Sequence, residues 1–181
     1  MGLDHLWAGW RSAYIESVTG DPDRRPDDEV RPPPSGEGSL FERILTMPDR
    51  DGFVVHRGVT CAALLNAYPY TNGHVLVMPL RAVGELHELT EEEHDELWRL
   101  VRDTVAAVRG AYRCPGVNVG LNLGEAAGAG VPDHLHAHVL PRWPGDTNFM
   151  TAVAETRVLP ESLGTTWQKL RDAWPSASSN A

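Results

Sequence analysis

Three histidines at alternate positions constrain this chain more than any other feature of its sequence. They are His134, His136 and His138. In a β-strand, alternate side chains share one face, so the three imidazoles would lie together. The residues on the opposite face, which would point toward a core, are Leu135, Ala137 and Val139. Such a cluster could divide nucleophilic, acid and orienting roles, but the spacing also suits a transition-metal site or a structural cluster.

Length, charge and cysteine content narrow the class of protein. The 181 residues suit one domain with a sizeable core. A net charge of −9 argues against binding of a nucleic-acid polymer but permits a small phosphorylated ligand held by local donors. The two cysteines, Cys61 and Cys114, form no CxxC pair, and no apolar run suits a membrane span or a signal peptide. We expect a cytoplasmic protein that acts on metabolites and not on membranes.

The first 38 residues divide into two segments of different predicted structure. Apolar residues at near-helical spacing predict a short amphipathic helix that docks on the body or on a second subunit; they are Leu6, Trp7, Trp10, Tyr14 and Ile15. Residues 19–38 are rich in Pro, Asp, Arg, Gly and Ser and predict an extended loop. We assign residues 39–150 to the main domain and 151–181 to a C-terminal extension.

Apolar runs between residues 53 and 123 predict antiparallel strands and one long helix. The strands are expected at residues 53–55, 59–65, 74–78 and 117–123. The helix begins at a capping box formed by Thr90 and Glu93 and ends near Arg109. Its apolar stripe, which would cover one face of the sheet, is formed by Leu97, Trp98, Val101, Val105 and Val108.

A glycine-rich loop at residues 124–130 directly precedes the histidine run. Its glycines, Gly124, Gly128 and Gly130, would let the backbone approach a ligand and direct N–H groups at an anion. A flexible hairpin loop is the alternative interpretation, and the position next to His134 keeps both open.

These motifs resemble the histidine triad (HIT) family of nucleotide hydrolases and transferases. The resemblance rests on the three histidines, on residues 72–79 with His74, on the intervening helix and on Asn122 before the loop; it spans roughly residues 39–150. Within the family, the chain most resembles the actinobacterial diadenosine tetraphosphate phosphorylase-like branch. The carrying segments are Leu6-Trp7, residues 65–70, residues 116–124 and Pro141-Arg142-Trp143, which leads to residues 145–149.

The resemblance implies both a fold and an activity. The fold is α+β, an antiparallel sheet with one long packed helix, and two subunits pair it into a continuous sheet in a homodimer or larger homo-oligomer. His136 would attack the α-phosphorus of an adenosine nucleotide and form a nucleotidyl-histidine, with its other ring nitrogen held by a backbone carbonyl. His138 would bind phosphate oxygens, and His134 would support the site with His74. We expect a cofactor-free nucleotidyltransferase that cleaves diadenosine tetraphosphate, or a related adenosine polyphosphate, with inorganic phosphate.

Each further site residue implied by the resemblance has an ordinary structural alternative. Asn66 corresponds to a residue that binds the ribose hydroxyls, but it also suits a turn. Asn122 corresponds to an amide that contacts phosphate, or it ends a strand. Trp143 is expected at the rim of the site, where it would stack on a second base or merely pack. The apolar slot for the base, or else ordinary core, would be formed by Leu40, Phe41, Ile44 and Leu65.

Two departures from the family pattern keep other functions open. Many relatives carry a hydroxyl residue ahead of the triad, whereas this loop reads Gly128-Ala129-Gly130-Val131, so backbone N–H groups or His138 would stabilise the leaving group. Some members bind a structural zinc through a Cys-x-x-Cys pair, but the corresponding residues here are Ser39-Leu40-Phe41-Glu42, so we expect no metal. The alternatives are a hydrolase of AMP conjugates that uses water, a nucleotide-binding protein with little turnover, and a metal-binding protein.

Overall fold

Five antiparallel strands form the sheet that carries the end of the histidine run. The computed structural model describes residues 4–7, 30–146, 156–159 and 161–176. In chain order the elements are β1 (Asp4–Trp7), α1 (Leu40–Leu45), β2 (Val54–Arg57), β3 (Cys61–Leu65), β4 (Val75–Pro79), α2 (Glu91–Tyr112), β5 (Gly116–Leu121), β6 (Ala137–Arg142), β7 (Thr156–Leu159) and α3 (Leu163–Asp172). The sheet order is β2-β3-β4-β6-β5. The expected α+β architecture, an antiparallel sheet with one long helix, is confirmed.

The two faces of the sheet bury different sets of side chains. In β4, Val75 and Val77 lie in the core beneath α2, while Leu76 and Met78 pack on the other face with Phe41 of α1. This alternation follows from the two-residue period of a strand. Since both faces of β3 and β4 are covered, every residue of these two strands is buried.

Helix α2 begins at the predicted capping box and runs three residues past the predicted end. Thr90 accepts the N–H of Glu93, and the Glu93 carboxylate accepts the N–H of Thr90. The helix ends where Arg113 adopts the left-handed conformation, with φ of 47°. The predicted apolar stripe is wrong at Trp98, which is 41% exposed, because it lies about 100° around the helix from the buried Leu97.

Residues 4–7 form a strand and not part of the predicted N-terminal helix. Asp4–Trp7 form β1, which pairs in parallel with β7, so the helix predicted from near-helical spacing is wrong for these residues. Local spacing could not reveal a partner strand about 150 residues away. The rest of that predicted helix, with Trp10, Tyr14 and Ile15, lies outside the described residues, as do residues 147–149.

Helix α3, from the predicted C-terminal extension, belongs to the same core as the sheet. Leu163 and Leu170 are buried in the cluster beneath α2. The indole N–H of Trp167 donates to the carbonyl oxygen of Val54 in β2 at 2.9 Å, and the Val54 N–H donates to Asp49 O. The outer side of β2 is therefore occupied at Val54. None of the helices in the described ranges is long and apolar enough to cross a membrane.

Candidate active site

The histidine run lies at the entrance to β6 and only partly within it. The strand begins at Ala137, so the expectation that all three histidines lie in a strand is wrong for His134 and His136. Pairing with β4 ends where Val77 faces Ala137, and the Leu135 N–H donates instead to Val83 O. The predicted alternation nevertheless persists. The three histidines are buried, and the residue after each of them, Leu135, Ala137 or Val139, belongs to the hydrophobic core.

His136 presents an unprotonated nitrogen because its other nitrogen is held by a carbonyl. Its Nδ1 lies 2.8 Å from the backbone oxygen of His134. A carbonyl oxygen can only accept, so Nδ1 of the neutral ring carries the proton and Nε2 carries the lone pair. Burial lowers the pKa of His136, which favours this neutral form. The ring lines the cleft described below and is thus arranged as a nucleophile.

His138 presents the opposite character, an N–H without a partner. The Nδ1 of His74 accepts the Tyr70 N–H at 3.1 Å and faces the Asn66 amide nitrogen at 3.3 Å, so the proton of His74 is on Nε2. That Nε2 lies 2.9 Å from Nδ1 of His138, which must accept and leave its own proton on Nε2. Among the described residues, His138 Nε2 is buried with no hydrogen-bond partner. It is therefore poised to donate to an oxygen of a ligand.

Burial and a neighbouring ring both keep His138 neutral. Desolvation, and then the positive charge that His136 would carry if protonated, lower the pKa of His138 to about 4. At neutral pH the site thus offers one lone pair and one N–H donor on adjacent rings, whose centroids are 5.0 Å apart.

His134 is fully buried and both its nitrogens are occupied by protein groups. Nε2 lies 2.9 Å from Pro79 O, and Nδ1 lies 2.6 Å from the hydroxyl oxygen of Ser39. Phe41 packs its ring edge-on against the His134 ring, with centroids 5.4 Å apart. Burial lowers the pKa of His134, so this ring is also neutral. His134 therefore has a supporting role, since its ring contacts other protein groups and does not line the cleft described below.

A cleft of about 330 Å³ opens in front of His136 and His138. Nine of the residues predicted for the site line it: His136, His138, Asn66, Gly128, Gly130, Leu40, Phe41, Ile44 and Leu65. Most of the wall is apolar, and the polar groups are few, which is typical of small-molecule sites.

Several lining residues were missed by the sequence analysis. They are Met47, Phe53, Leu64 and Leu76 on the apolar wall, Tyr68 and Tyr70 at an exposed rim, and Val30, Arg31 and Asp51. Ser39, which contacts His134, was also missed as a site residue. Its sequence signal was available, because Ser39 and Glu42 form the same capping-box pattern as Thr90 and Glu93.

The remaining predicted site residues lie outside the lining. His74 contacts the His138 ring, and His134 contacts the Phe41 ring. The amide of Asn122 donates to the carbonyl oxygen of Gly128 at 3.5 Å, a contact between the end of β5 and the glycine-rich loop. Trp143 is not found at the rim of its own chain's cleft. It packs on the α2 side of the sheet, 6.3 Å from the ring of Tyr112, because it shares the strand face of Val139.

The glycine-rich loop uses two of its N–H groups internally. Gly128 N–H donates to Glu125 O, and Ala129 N–H donates to Gly124 O, within a short 3₁₀ turn at Glu125–Ala127. Gly124 and Gly128 adopt φ of 74° and 89°, which glycine permits. The expectation that this loop directs its N–H groups at an anion is therefore wrong for Gly128 and Ala129. Within the described ranges, no group of three His, Cys, Asp or Glu side chains could hold a metal ion.

Comparisons with known proteins identify the family to which the chain belongs. The HIT domain profile matches residues 48–145, over half of the chain, so the chain belongs to the HIT family. It is 38% identical over 172 residues to the AP-4-A phosphorylase of Mycobacterium tuberculosis, covering 95% of this chain and 85% of that protein. The family and the actinobacterial branch inferred from the sequence are thereby confirmed.

Two further comparisons cover shorter parts of the chain. A bis(5'-nucleosyl)-tetraphosphatase [asymmetrical] of Schizosaccharomyces pombe is 38% identical over 93 residues, which is 51% of this chain and 50% of that protein. Among solved structures, a zinc-bound histidine triad family protein from Mycobacterium smegmatis superposes with a TM-score of 0.55 at 27% identity, covering 67% of this chain and 82% of that one.

Proposed function

We propose that this protein cleaves diadenosine tetraphosphate with inorganic phosphate and releases ADP and ATP. The observation that carries the proposal comes from the wall of one cleft, where His136 presents an Nε2 lone pair beside an N–H of His138 that has no partner in the described part of the chain. A nucleophile and a donor on adjacent rings suit attack on a phosphorus whose oxygens need stabilisation.

The reaction proceeds in two displacements at the same phosphorus. His136 Nε2 bonds to the α-phosphorus, the bond to the bridging oxygen breaks, and ATP leaves with the electron pair. An oxygen of inorganic phosphate then attacks, the P–N bond breaks, and ADP leaves while Nε2 recovers its lone pair. The His138 N–H stabilises charge on the phosphoryl oxygens in both steps.

The walls of the cleft suit an adenosine group beside these histidines. The apolar residues of α1 and β3, among them Phe41, Ile44 and Leu65, supply a slot for a flat base. Asn66 lies on the same wall, but its amide oxygen accepts the Tyr68 N–H and its nitrogen faces His74. We assign Asn66 to the ribose, with the turn and His74 holding its amide in place.

Phosphate as the acceptor is favoured over water by the extent of the similarity. The match to AP-4-A phosphorylase spans 95% of the chain, beyond the HIT domain at both ends, whereas the match to the tetraphosphatase spans 51%. The loop that lacks a hydroxyl side chain does not distinguish the two acceptors.

We also propose that two copies pair through β5 to form a homodimer. This strand lies at one edge of the sheet and none of its residues is buried, with Val119 42% exposed. An edge strand offers unpaired N–H and C=O groups to a second strand. Pairing of two β5 strands would extend the sheet across both subunits.

The test is turnover of diadenosine tetraphosphate with and without labelled inorganic phosphate, with nucleotides separated by chromatography. We expect ATP and ADP only when phosphate is present, with the label in the β-phosphate of ADP. With a chiral α-thiophosphate substrate, two displacements give net retention at phosphorus. His136→Ala should abolish turnover, and His94→Ala, at an exposed histidine on α2, should not.

The other outcomes identify the rival functions. ATP and AMP formed without phosphate would show a hydrolase. A nucleotide-binding protein would bind AMP tightly without turnover, and His136→Ala would change no measured rate. Metal that copurifies in stoichiometric amount and is lost in His136→Ala would show a metal site.

A further inference from the structure

We propose that Ser39 is a positioning residue for the nucleophile, acting on His136 through His134. The inference deepens the proposed function and rests on it. Ser39 is the N-cap of α1, on an element distant in sequence from the histidines, and its side chain is buried, with the residue 7% exposed.

The direction of each hydrogen bond around Ser39 is fixed by its partners. Pro79 O can only accept, so Nε2 of neutral His134 carries the proton and Nδ1 carries the lone pair. The Glu42 N–H donates to Ser39 Oγ at 3.1 Å. The hydroxyl proton of Ser39 is left for His134 Nδ1, 2.6 Å away. Both nitrogens of the buried ring are thereby satisfied and its orientation is fixed.

The same residue, His134, supplies the carbonyl that orients the nucleophile. Its backbone oxygen accepts the Nδ1–H of His136 at 2.8 Å, so a shift of His134 displaces the acceptor of His136. Phe41, two residues after Ser39, contacts both rings, with centroids 5.4 Å from His134 and 5.1 Å from His136. The start of α1 thus fixes the positions of the two histidine rings relative to each other.

Without the Ser39 hydroxyl, His134 Nδ1 would be a buried acceptor with nothing to accept. A buried polar group without a partner costs free energy, so the ring would change its tautomer, take up a proton or move. The titratable groups that act on His134 are Glu42 and Asp133, which raise its pKa, and His136, which lowers it. Glu42 is held ionised, since the N–H groups of Ser39 and Ala82 lower its pKa. The hydroxyl satisfies Nδ1 while the ring stays neutral.

Variants of Ser39 can separate its hydrogen bond to His134 from its role as the N-cap of α1. Ser39→Asp keeps an acceptor for the Glu42 N–H, because Asp is as good an N-cap as Ser, but an ionised carboxylate has no proton to give. Ser39→Ala removes both functions, and Ser39→Thr keeps both. Thr90→Ala and Thr90→Asp are matched controls, since Thr90 and Glu93 form the same capping box on α2 and the Thr90 hydroxyl accepts the Glu93 N–H, whereas the Ser39 hydroxyl also contacts a histidine ring.

We expect Ser39→Ala and Ser39→Asp to lower kcat for diadenosine tetraphosphate by about tenfold or more, with KM changed by less than about twofold. Ser39→Thr should recover most of the rate, and the Thr90 variants should keep the wild-type rate. Nitrogen-15 NMR should show neutral His134 with its proton on Nε2 in the wild type. In Ser39→Asp the ring should be doubly protonated at neutral pH, because the adjacent carboxylate raises its pKa.

Ser39→Asp with the wild-type kcat and unchanged His134 resonances would overturn the proposal, since Ser39 would then only cap α1. An equal loss of kcat in Thr90→Asp would overturn it too, because the loss would follow from helix capping in general. If the wild type does not turn over diadenosine tetraphosphate, the proposed function fails. The NMR comparison still decides the role of Ser39 in that case, because it needs no substrate.

Discussion

Tyr70 lies nearly parallel to His138, with 16° between the ring planes and 5.8 Å between their centroids. The same residue donates its backbone N–H to His74, which fixes the tautomer of His138. Tyr70 is 46% exposed at the rim of the cleft, so its ring shields the phosphate-facing donor from water on one side.

Replacing Tyr70 by Ala should raise the pKa of His138, because desolvation is the main cause that lowers it. We expect kcat/KM to fall about tenfold at neutral pH, as the donor becomes solvated and less fixed. Tyr70→Phe keeps the ring and the backbone N–H and should keep the low pKa. NMR titration of His138 in the two variants checks this, and an unchanged pKa in Tyr70→Ala would contradict it.

The acid limb of activity should lie below the ordinary titration range of histidine. Burial lowers the pKa values of His136 and His138, the latter to about 4, and both rings act in their neutral forms. Each ring is half protonated at its own pKa, so the pH at which kcat/KM falls to half of its neutral-pH value should lie below the ordinary histidine pKa of about 6.5. A pH profile, with circular dichroism to confirm that the fold persists, measures this. A half-maximal rate at or above pH 6.5 would contradict it.

A charge on the open sheet edge should separate the proposed dimer. Val119 in β5 faces outward, and a lysine there would place like charges of two copies near each other. We expect Val119→Lys to be monomeric by light scattering at concentrations where the wild type is dimeric. Val59→Lys, at an 86% exposed position before β3, is the control and should leave the mass unchanged. A monomeric wild type would refute the pairing.

The ion pair at the cleft should affect substrate binding more than stability. Arg31 Nη1 lies 2.9 Å from Asp51 Oδ2, and both residues line the cleft. Arg31→Ala should raise KM for diadenosine tetraphosphate about threefold to tenfold with little change in kcat, since Arg31 lines the cleft but takes no part in the proposed chemistry at His136. The free energy of unfolding should change by under about 1 kcal/mol, because the Arg31 side chain is 44% exposed and solvent screens its charge.

Arg102→Ala, which breaks an exposed ion pair with Asp103 on α2, is the matched control for that measurement. It should leave KM unchanged. Equal effects of the two substitutions would assign the change to net charge and not to the wall of the cleft.

The sequence predicted the parts of the fold that depend on local patterns. The apolar run of β4 and the capping box at Thr90 are formed by neighbouring residues, so these elements were located to within a few residues. The parts that depend on distant partners were missed. β1 pairs with β7, a strand about 150 residues away. The error at Trp98 is of another kind, because its exposed position follows from its angle around the helix, which the sequence alone defines.

The candidate site shows the same division. His136 and His138 could be selected from their spacing, and Phe41 from its family position. The groups that set their protonation are a backbone carbonyl, a backbone N–H and the Ser39 hydroxyl, brought together by the fold alone. Trp143 was placed at the rim because it follows the histidine strand, but its strand parity turns it toward Tyr112.

The bond from Trp167 to Val54 has a consequence for how many copies can assemble. It occupies the outer side of β2 at Val54, so this edge of the sheet is obstructed there, whereas β5 at the other edge pairs only with β6 among the described residues. Two open edges would let copies add head to tail without limit, as in a fibre. With one open edge, a two-fold pairing of β5 strands uses it up in both partners. In the pairing that we propose, growth by strand addition would then stop at two subunits.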